Sequence, residues 1–205
     1  MHLHDLAVIS GYVGAAFGVS MVLPQISRTF RNRAVGGVSP TSWSLTAIAC
    51  LTWLLYGVRT GETPQIPGNV LLVAGACVIV LAVPARVSVT RRAAALGSAA
   101  ALISAFALVA APAYIGYLAL CVGLIAAWPQ TVESIARARE GAESAVSISA
   151  WVLRALSQLC WLGYAVVLHD VPVTVGATVT LTSALALLVA ELRRQSVSYA
   201  AAVAA

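Results

Sequence analysis

Lysine is absent from this chain of 205 residues; all 12 basic residues are Arg. A retinal protein holds its chromophore as a Schiff base on a Lys amine, so a light-driven pump or sensor of that kind is excluded. Charge of either sign is scarce. Charged residues make up 9% of the chain and apolar ones 60%, against roughly 25% and 45–50% in soluble domains. So few charges cannot cover a water-facing surface. Hydrocarbon is the solvent that fits, and it demands apolar stretches of about 17–25 residues. CxxC spacing is missing too: Cys50, Cys77, Cys121 and Cys160 fall inside apolar runs, as small core or lipid-facing residues do rather than metal or redox sites. The chain has no P-loop, nucleophile–base constellation or metal-ligand spacing, so neither an enzyme nor a cofactor is expected. The opening MHLHDLAVIS lacks the basic n-region of a cleaved leader, so the first span is expected to stay in the mature protein.

The charge that is present sits between apolar runs. Seven such runs are expected, over about 5–30, 41–58, 66–83, 92–111, 113–131, 146–168 and 171–191. The tail SVSYAAAVAA is expected to be frayed. A net charge of +5 could serve nucleic acid, but short loops between spans are where Arg sets membrane orientation. Arg28, Arg31 and Arg33 follow the first run, Arg86, Arg91 and Arg92 the third, and Arg137 and Arg139 the fifth. Arg193 and Arg194 follow the last, while the alternate loops hold only Arg59. That alternation places the N-terminus outside and the C-terminus in the cytoplasm of a multi-pass cell-membrane protein. It also supports the count of seven.

An internal repeat organises the chain. GYVGAAFGVSMVLPQ (Gly11 to Gln25) aligns with GYLALCVGLIAAWPQ (Gly116 to Gln130), sharing G-Y, a mid-helix Gly and P-Q. Beyond a loop three residues longer in the second copy, VSPTSW (Val38 to Trp43) aligns with VSISAW (Val146 to Trp151). LTWLLYGV (Leu51 to Val58) aligns with LCWLGYAV (Leu159 to Val166), and Pro64 and Gly68 with Pro172 and Gly176. Each copy holds three spans, an odd number, so two directly joined copies would face opposite ways. The Ala-rich fourth span restores a parallel orientation. The expected fold is therefore all-α, two parallel three-helix repeats joined by a linker helix (3+1+3). The repeats cover 6–83 and 113–191, the loop and linker 84–111, and the tail 192–205. A binding cavity is expected on the axis between the halves.

The succession of P-Q, a basic loop, V-S, W-L-x-Y-G and P-x-x-x-G-N resembles the PQ-loop superfamily. Within it, the chain most resembles the SWEET and SemiSWEET (MtN3/saliva) sugar transporters, over nearly all of residues 6–190. SemiSWEETs are single three-helix units that dimerise, and this chain is similar to a fused pair. The resemblance implies a uniporter that moves a small sugar by alternating access, without a cofactor.

Candidate residues follow. Pro24 and Gln25, with Pro129 and Gln130, lie near the cytoplasmic ends of the first and fifth spans. Proline deletes a backbone hydrogen bond and kinks the helix; it serves either as a static kink or, as the resemblance implies, as a hinge. Trp53 and Trp161 occupy matched positions. Each is either an interfacial anchor or, as the resemblance implies, one of two faces flanking a sugar. Asn69 places an amide in hydrocarbon, where it must bond something; the resemblance implies a pocket Asn in each half. The second half departs from this, with Ala177 at the matched position, followed by Thr178 and Thr180. Arg154 stands where the first copy has Thr46, seven residues before Trp161 with Ser157 and Gln158 between. It either snorkels to the cytoplasmic face or pairs with Glu133, or it lines the pathway and favours an anionic solute. Gly14 and Gly18 form a small-xxx-small face for helix packing. Asp5, Glu62 and Asp170, with the three His, are expected on the outer side. No carboxylate is expected at mid-membrane, which favours facilitated diffusion over proton coupling.

The expected partners are a small solute, sugar before others, and the lipid bilayer. Nucleic acid is not expected. Homo-oligomerisation stays open, since both halves lie in one chain. Two other readings stay open: a PQ-loop carrier of amino acids or other charged metabolites, and a non-transporting receptor or adaptor on the same scaffold.

Overall fold

Proline, glycine and capping side chains cut the apolar sequence into seven helices. In the computed structural model these are α1 (Leu3–Arg31), α2 (Pro40–Thr60), α3 (Gln65–Ala82), α4 (Val89–Val109), α5 (Pro112–Arg139), α6 (Ile148–Leu168) and α7 (Val171–Ala204). The structure describes the backbone of residues 2–31, 40–82, 87–139 and 148–204, and the side chains of 2–21, 41–82, 87–126, 148–149, 151–190 and 192–193. Pro40 and Pro112 open α2 and α5, the first helical position, where the missing N–H is no loss. Ser88 accepts from the Arg91 N–H to cap α4, and Asp170 Oδ1 accepts from the Val173 N–H at 3.0 Å to cap α7. Six stretches are long and apolar enough to cross a bilayer, and Pro112–Ala126 adds a shorter apolar helix.

Two helices run further than the expected spans. α5 continues past residue 131 to Arg139, and α7 continues to Ala204. The tail expected to fray is helical. The bilayer limits the apolar part of a helix, not the helix itself, and both extensions are rich in Ala and Arg, which favour helix in water as well.

Six helices close a ring in the order α1, α3, α2, α5, α7, α6, each packed against its two neighbours. α4 lies outside the ring, against α2 and α3, and only 6% of its span is buried. An Arg of its first turn and a ring Arg hold it at both ends. Arg92 donates to the Val80 carbonyl at the end of α3. Arg59 at the end of α2 donates to the Ala107 carbonyl and, at 3.3 Å, to that of Ala110. Those are carbonyls a helix C-terminus leaves without an intrahelical donor.

The halves are parallel. A methyl group on Gly11 of α1 would come within 2.9 Å of Pro64 and Tyr164, and one on Gly116 of α5 within 2.9 Å of Pro172 and Tyr56. The start of α1 and the start of α5 therefore lie at one level, beside the ends of both α2 and α6. The same symmetry governs the α2–α3 and α6–α7 turns. Gly61 (φ 77°) and His169 (φ 56°) both adopt left-handed backbone. The next N–H returns to a helix carbonyl in each, Glu62 to Gly57 and Asp170 to Ala165, both at 2.9 Å. This is the Schellman arrangement, with glycine in the first copy and His in the second.

Candidate functional site

The ring encloses a cavity of about 320 Å³, lined by side chains from all six ring helices and, among the described residues, by none from α4. Its lining obeys the repeat position by position. Thr46, Ala49, Cys50 and Trp53 of α2 answer to Arg154, Ser157, Gln158 and Trp161 of α6. Gln65, Gly68, Asn69 and Leu72 of α3 answer to Val173, Gly176, Ala177 and Thr180 of α7. Helical spacing of three and four residues puts each quartet on one face, and the pseudo-two-fold axis turns both faces inward.

Backbone position is shared between the halves, but chemistry is not. Of the expected site residues, Trp53, Asn69, Trp161, Gln158 and Arg154 come together around this cavity. Thr178 does not. It is exposed on the outer face of α7 and donates to the Thr174 carbonyl at 2.8 Å; Thr180, two residues on, takes the inward face. Thr182 donates in the same way to Thr178 at 2.8 Å. Such back-bonds satisfy hydroxyls that would otherwise be orphaned in lipid. Pro24 and Gln25 lie within α1, and Pro129 and Gln130 within α5, but their side chains, like that of Glu133, lie outside the described residues.

Both indoles line the cavity. Trp53 projects across the axis towards the other half, 3.6 Å from a methyl built on Gly176 and 3.9 Å from one on Gly123. Trp161 stands 3.2 Å from a methyl built on Gly14. Each ring is buttressed edge-on by the tyrosine one turn further along: Trp53 by Tyr56 at 5.7 Å and Trp161 by Tyr164 at 5.5 Å. Asn69 donates through Nδ2 to the Gln65 carbonyl at 2.8 Å. One amide hydrogen is thus spent within α3, and the carbonyl oxygen stays free to accept from a ligand hydroxyl.

Arg154 brings the only charge among the described lining residues. Its guanidinium carbon stands 5.4 Å from the centre of the Trp151 ring. Cation–π contact is worth about 0.5–2 kcal/mol, while a mid-helix Arg costs about 2.5–3.5 kcal/mol on insertion scales. The ring alone therefore does not offset the charge.

At the end of the ring beyond the indoles, the two halves lock together. Tyr56 and Tyr164 are buried at 5% and 1% exposure. Glu62 lies between the halves, accepting from Gln65 Nε2 at 2.8 Å and facing Asp170 and Tyr164. Asp170 in turn faces Tyr56, and its Oδ2 is buried without a well-aligned hydrogen bond. Burial, reinforced by the Asp170 charge, pushes the Glu62 carboxyl up to about 7, with the Gln65 and Tyr164 hydrogen bonds pulling the other way. The sequence placed both acids at this end but not against each other. The repeat offset that aligns Pro64 with Pro172 also aligns Glu62 with Asp170, and it was the available signal. Cys50 and Thr46 were missed as lining residues for the same reason: each becomes visible only as the counterpart of a residue already suspected, Gln158 and Arg154.

This architecture is that of a multi-pass helical membrane protein. Residues 6–66 match the family model described as PQ loop repeat. The fold matches a solved structure described as a eukaryotic SWEET transporter, at 3.7 Å resolution, with a TM-score of 0.80. The match covers 95% of this chain and 100% of that one at 14% identity. No curated protein matches the sequence.

Proposed function

We propose that the protein is a carrier, not a catalyst, which moves a small sugar down its gradient by alternating access. The observation that carries this is the cavity itself: a central space of about 320 Å³ flanked by Trp53 and Trp161 on the axis between parallel halves. That volume is at the low end for small-molecule sites, which favours a monosaccharide over a disaccharide. Two indoles offer flat apolar faces to the C–H side of a pyranose, while the Asn69 carbonyl oxygen and Gln158 serve its hydroxyls. The described similarity to a SWEET transporter supports the same reading.

With the N-terminus outside, as the Arg loops indicate, the locked end of Tyr56, Tyr164, Glu62 and Asp170 is the outer gate, and this conformation is closed to the outside. The hinges are assigned to Pro24–Gln25 and Pro129–Gln130, where each of two long helices lacks one backbone hydrogen bond.

Purified protein in proteoliposomes is expected to take up labelled glucose to equilibrium and to show counterflow. A second arm places a Cys at position 69, with the four native Cys removed, and labels it from each side. Access from alternate sides is expected, with glucose slowing the labelling. No flux together with no labelling from either side would mean a dry core, and the receptor or adaptor reading would replace this one.

A further inference from the structure

We propose that the preferred solute is a sugar acid, its carboxylate held by Arg154 and its ring between the two indoles. The inference rests on the carrier reading above and names the substrate class of that site.

The asymmetry of the lining points to it. The two halves place the same backbone around the axis, so a solute without charge would be served by matched groups. Instead Arg154 stands opposite Thr46. Thr46 is itself committed, donating to the Ser42 carbonyl at 3.0 Å. Ala177 stands at the position matched to Asn69. The second half thus presents a permanent cation where the first presents a neutral group, and an apolar methyl where the first presents an amide. Arg is protonated throughout the physiological range and presents a fork that matches a carboxylate with two parallel bonds. The helix rise places it roughly 10 Å along α6 from Trp161, the right order of separation for a hexose ring seated at the indoles to direct its terminal carboxylate at the guanidinium.

The same lining argues against an amino acid. An α-ammonium group needs an anionic partner, and no carboxylate lines the cavity among the described residues. Cys50, Gln158 and Thr180 supply neutral polar groups, which suit hydroxyls. A solute with one carboxylate and several hydroxyls meets each of these features.

The test uses the full chain in proteoliposomes with labelled glucuronate, glucose and serine, comparing the natural sequence with Arg154→Gln and Arg154→Lys. Glucuronate is expected to be carried in preference to glucose by on the order of tenfold to a hundredfold, the usual scale for a hydrogen bond to a charged group. Arg154→Gln is expected to abolish that preference, bringing the glucuronate-to-glucose flux ratio to one or below, and Arg154→Lys to keep part of it. Glucose flux without glucuronate flux, unaltered in Arg154→Gln, overturns the inference and leaves the carrier reading standing. Arg154-dependent uptake of serine ahead of glucuronate overturns the assignment to sugar acids. Absence of flux for all three overturns the carrier reading. Calorimetry in detergent then decides the site alone: Arg154-dependent glucuronate binding supports it, and binding that ignores Arg154, or none, overturns it. Monodispersity on gel filtration shows that each variant is folded.

Discussion

Ser157 on α6 donates through Oγ to the Gly14 carbonyl on α1 at 2.8 Å, a buried bond joining the second half of the chain to the first. Ser10 returns the favour, donating to the Cys160 carbonyl at 2.9 Å. The repeat counterparts of these two hydroxyls are Ala49 and Ile115, so the α2–α5 seam has neither bond. One seam carries two polar bonds for which its twin has no counterpart hydroxyls. Interhelical hydrogen bonds in membranes average about 0.6 kcal/mol, so Ser157→Ala is expected to lower thermal stability only slightly. Gly14→Ala should cost more, about 1–3 kcal/mol. Its methyl would sit 3.1 Å from both Cys160 Cβ and the Ser157 carbonyl oxygen, and the latter is backbone that cannot swing aside. Melting curves of the two purified variants check the order.

Side chains around the cavity separate by the direction they face. Trp53→Ala or Asn69→Ala is expected to reduce sugar uptake by roughly tenfold or more, the loss of one stacking face or one hydrogen-bond group. Thr178→Ala, on the lipid-facing side of α7, is expected to leave uptake within about twofold, as surface changes do. Initial rates in proteoliposomes, normalised to reconstituted protein, read both. Equal losses at positions 69 and 178 would remove the cavity from the mechanism.

The sequence made the spans, the repeat and five of the residues that line the cavity legible, because each rests on a local period. Apolar runs of bilayer length announce helices, and matched motifs announce matched positions. Which side of a helix faces the axis needs the helical register to be fixed, and Ala177-Thr178 shows the cost of leaving it loose. One residue rotates a side chain by about 100°, enough to exchange cavity for lipid. The Glu62–Asp170 contact was hidden for a different reason. It joins residues from separate halves, and no pattern within either half encodes the meeting. The extents of α5 and α7 were misjudged because apolarity was used as the measure of helix, whereas Ala and Arg carry a helix beyond the bilayer.

The turn after α6 offers a stabilising change. His169 holds φ 56° where the first copy has Gly61 at 77°. A side chain in left-handed backbone costs roughly 1–2 kcal/mol, from which the greater unfolded-state freedom of glycine takes back about 0.5–1. His169→Gly is therefore expected to stabilise the protein by roughly 0.5–1 kcal/mol. Its exposed imidazole has no role in the cavity, so uptake should be unchanged. A melting temperature that falls would show that the His side chain holds the turn in some other way.

The locked end should respond to pH through Glu62. Its carboxyl sits at about 7 rather than 4.5, because burial and the neighbouring Asp170 charge disfavour the ionised form more than Gln65 and Tyr164 favour it. Asp170, Tyr164 and Tyr56 face the pair, and His4 and Asp5 line the adjoining surface pocket. For an acid whose value is raised in the closed arrangement, the proton stabilises that arrangement. The contribution is full below about 4.5, falls as pH rises towards about 7, and changes no further above it. Raising the pH through this window is thus expected to lower the melting temperature and increase modification of an introduced Cys at Tyr56 from the Glu62 end. Glu62→Gln keeps the Gln65 neighbour and removes the charge, so its melting temperature should lose this component of the pH dependence. The difference between the two pH curves isolates Glu62 from other carboxylates. A difference curve that is flat between about 4.5 and 7 would leave the lock to packing of Pro64, Pro172 and the two tyrosines.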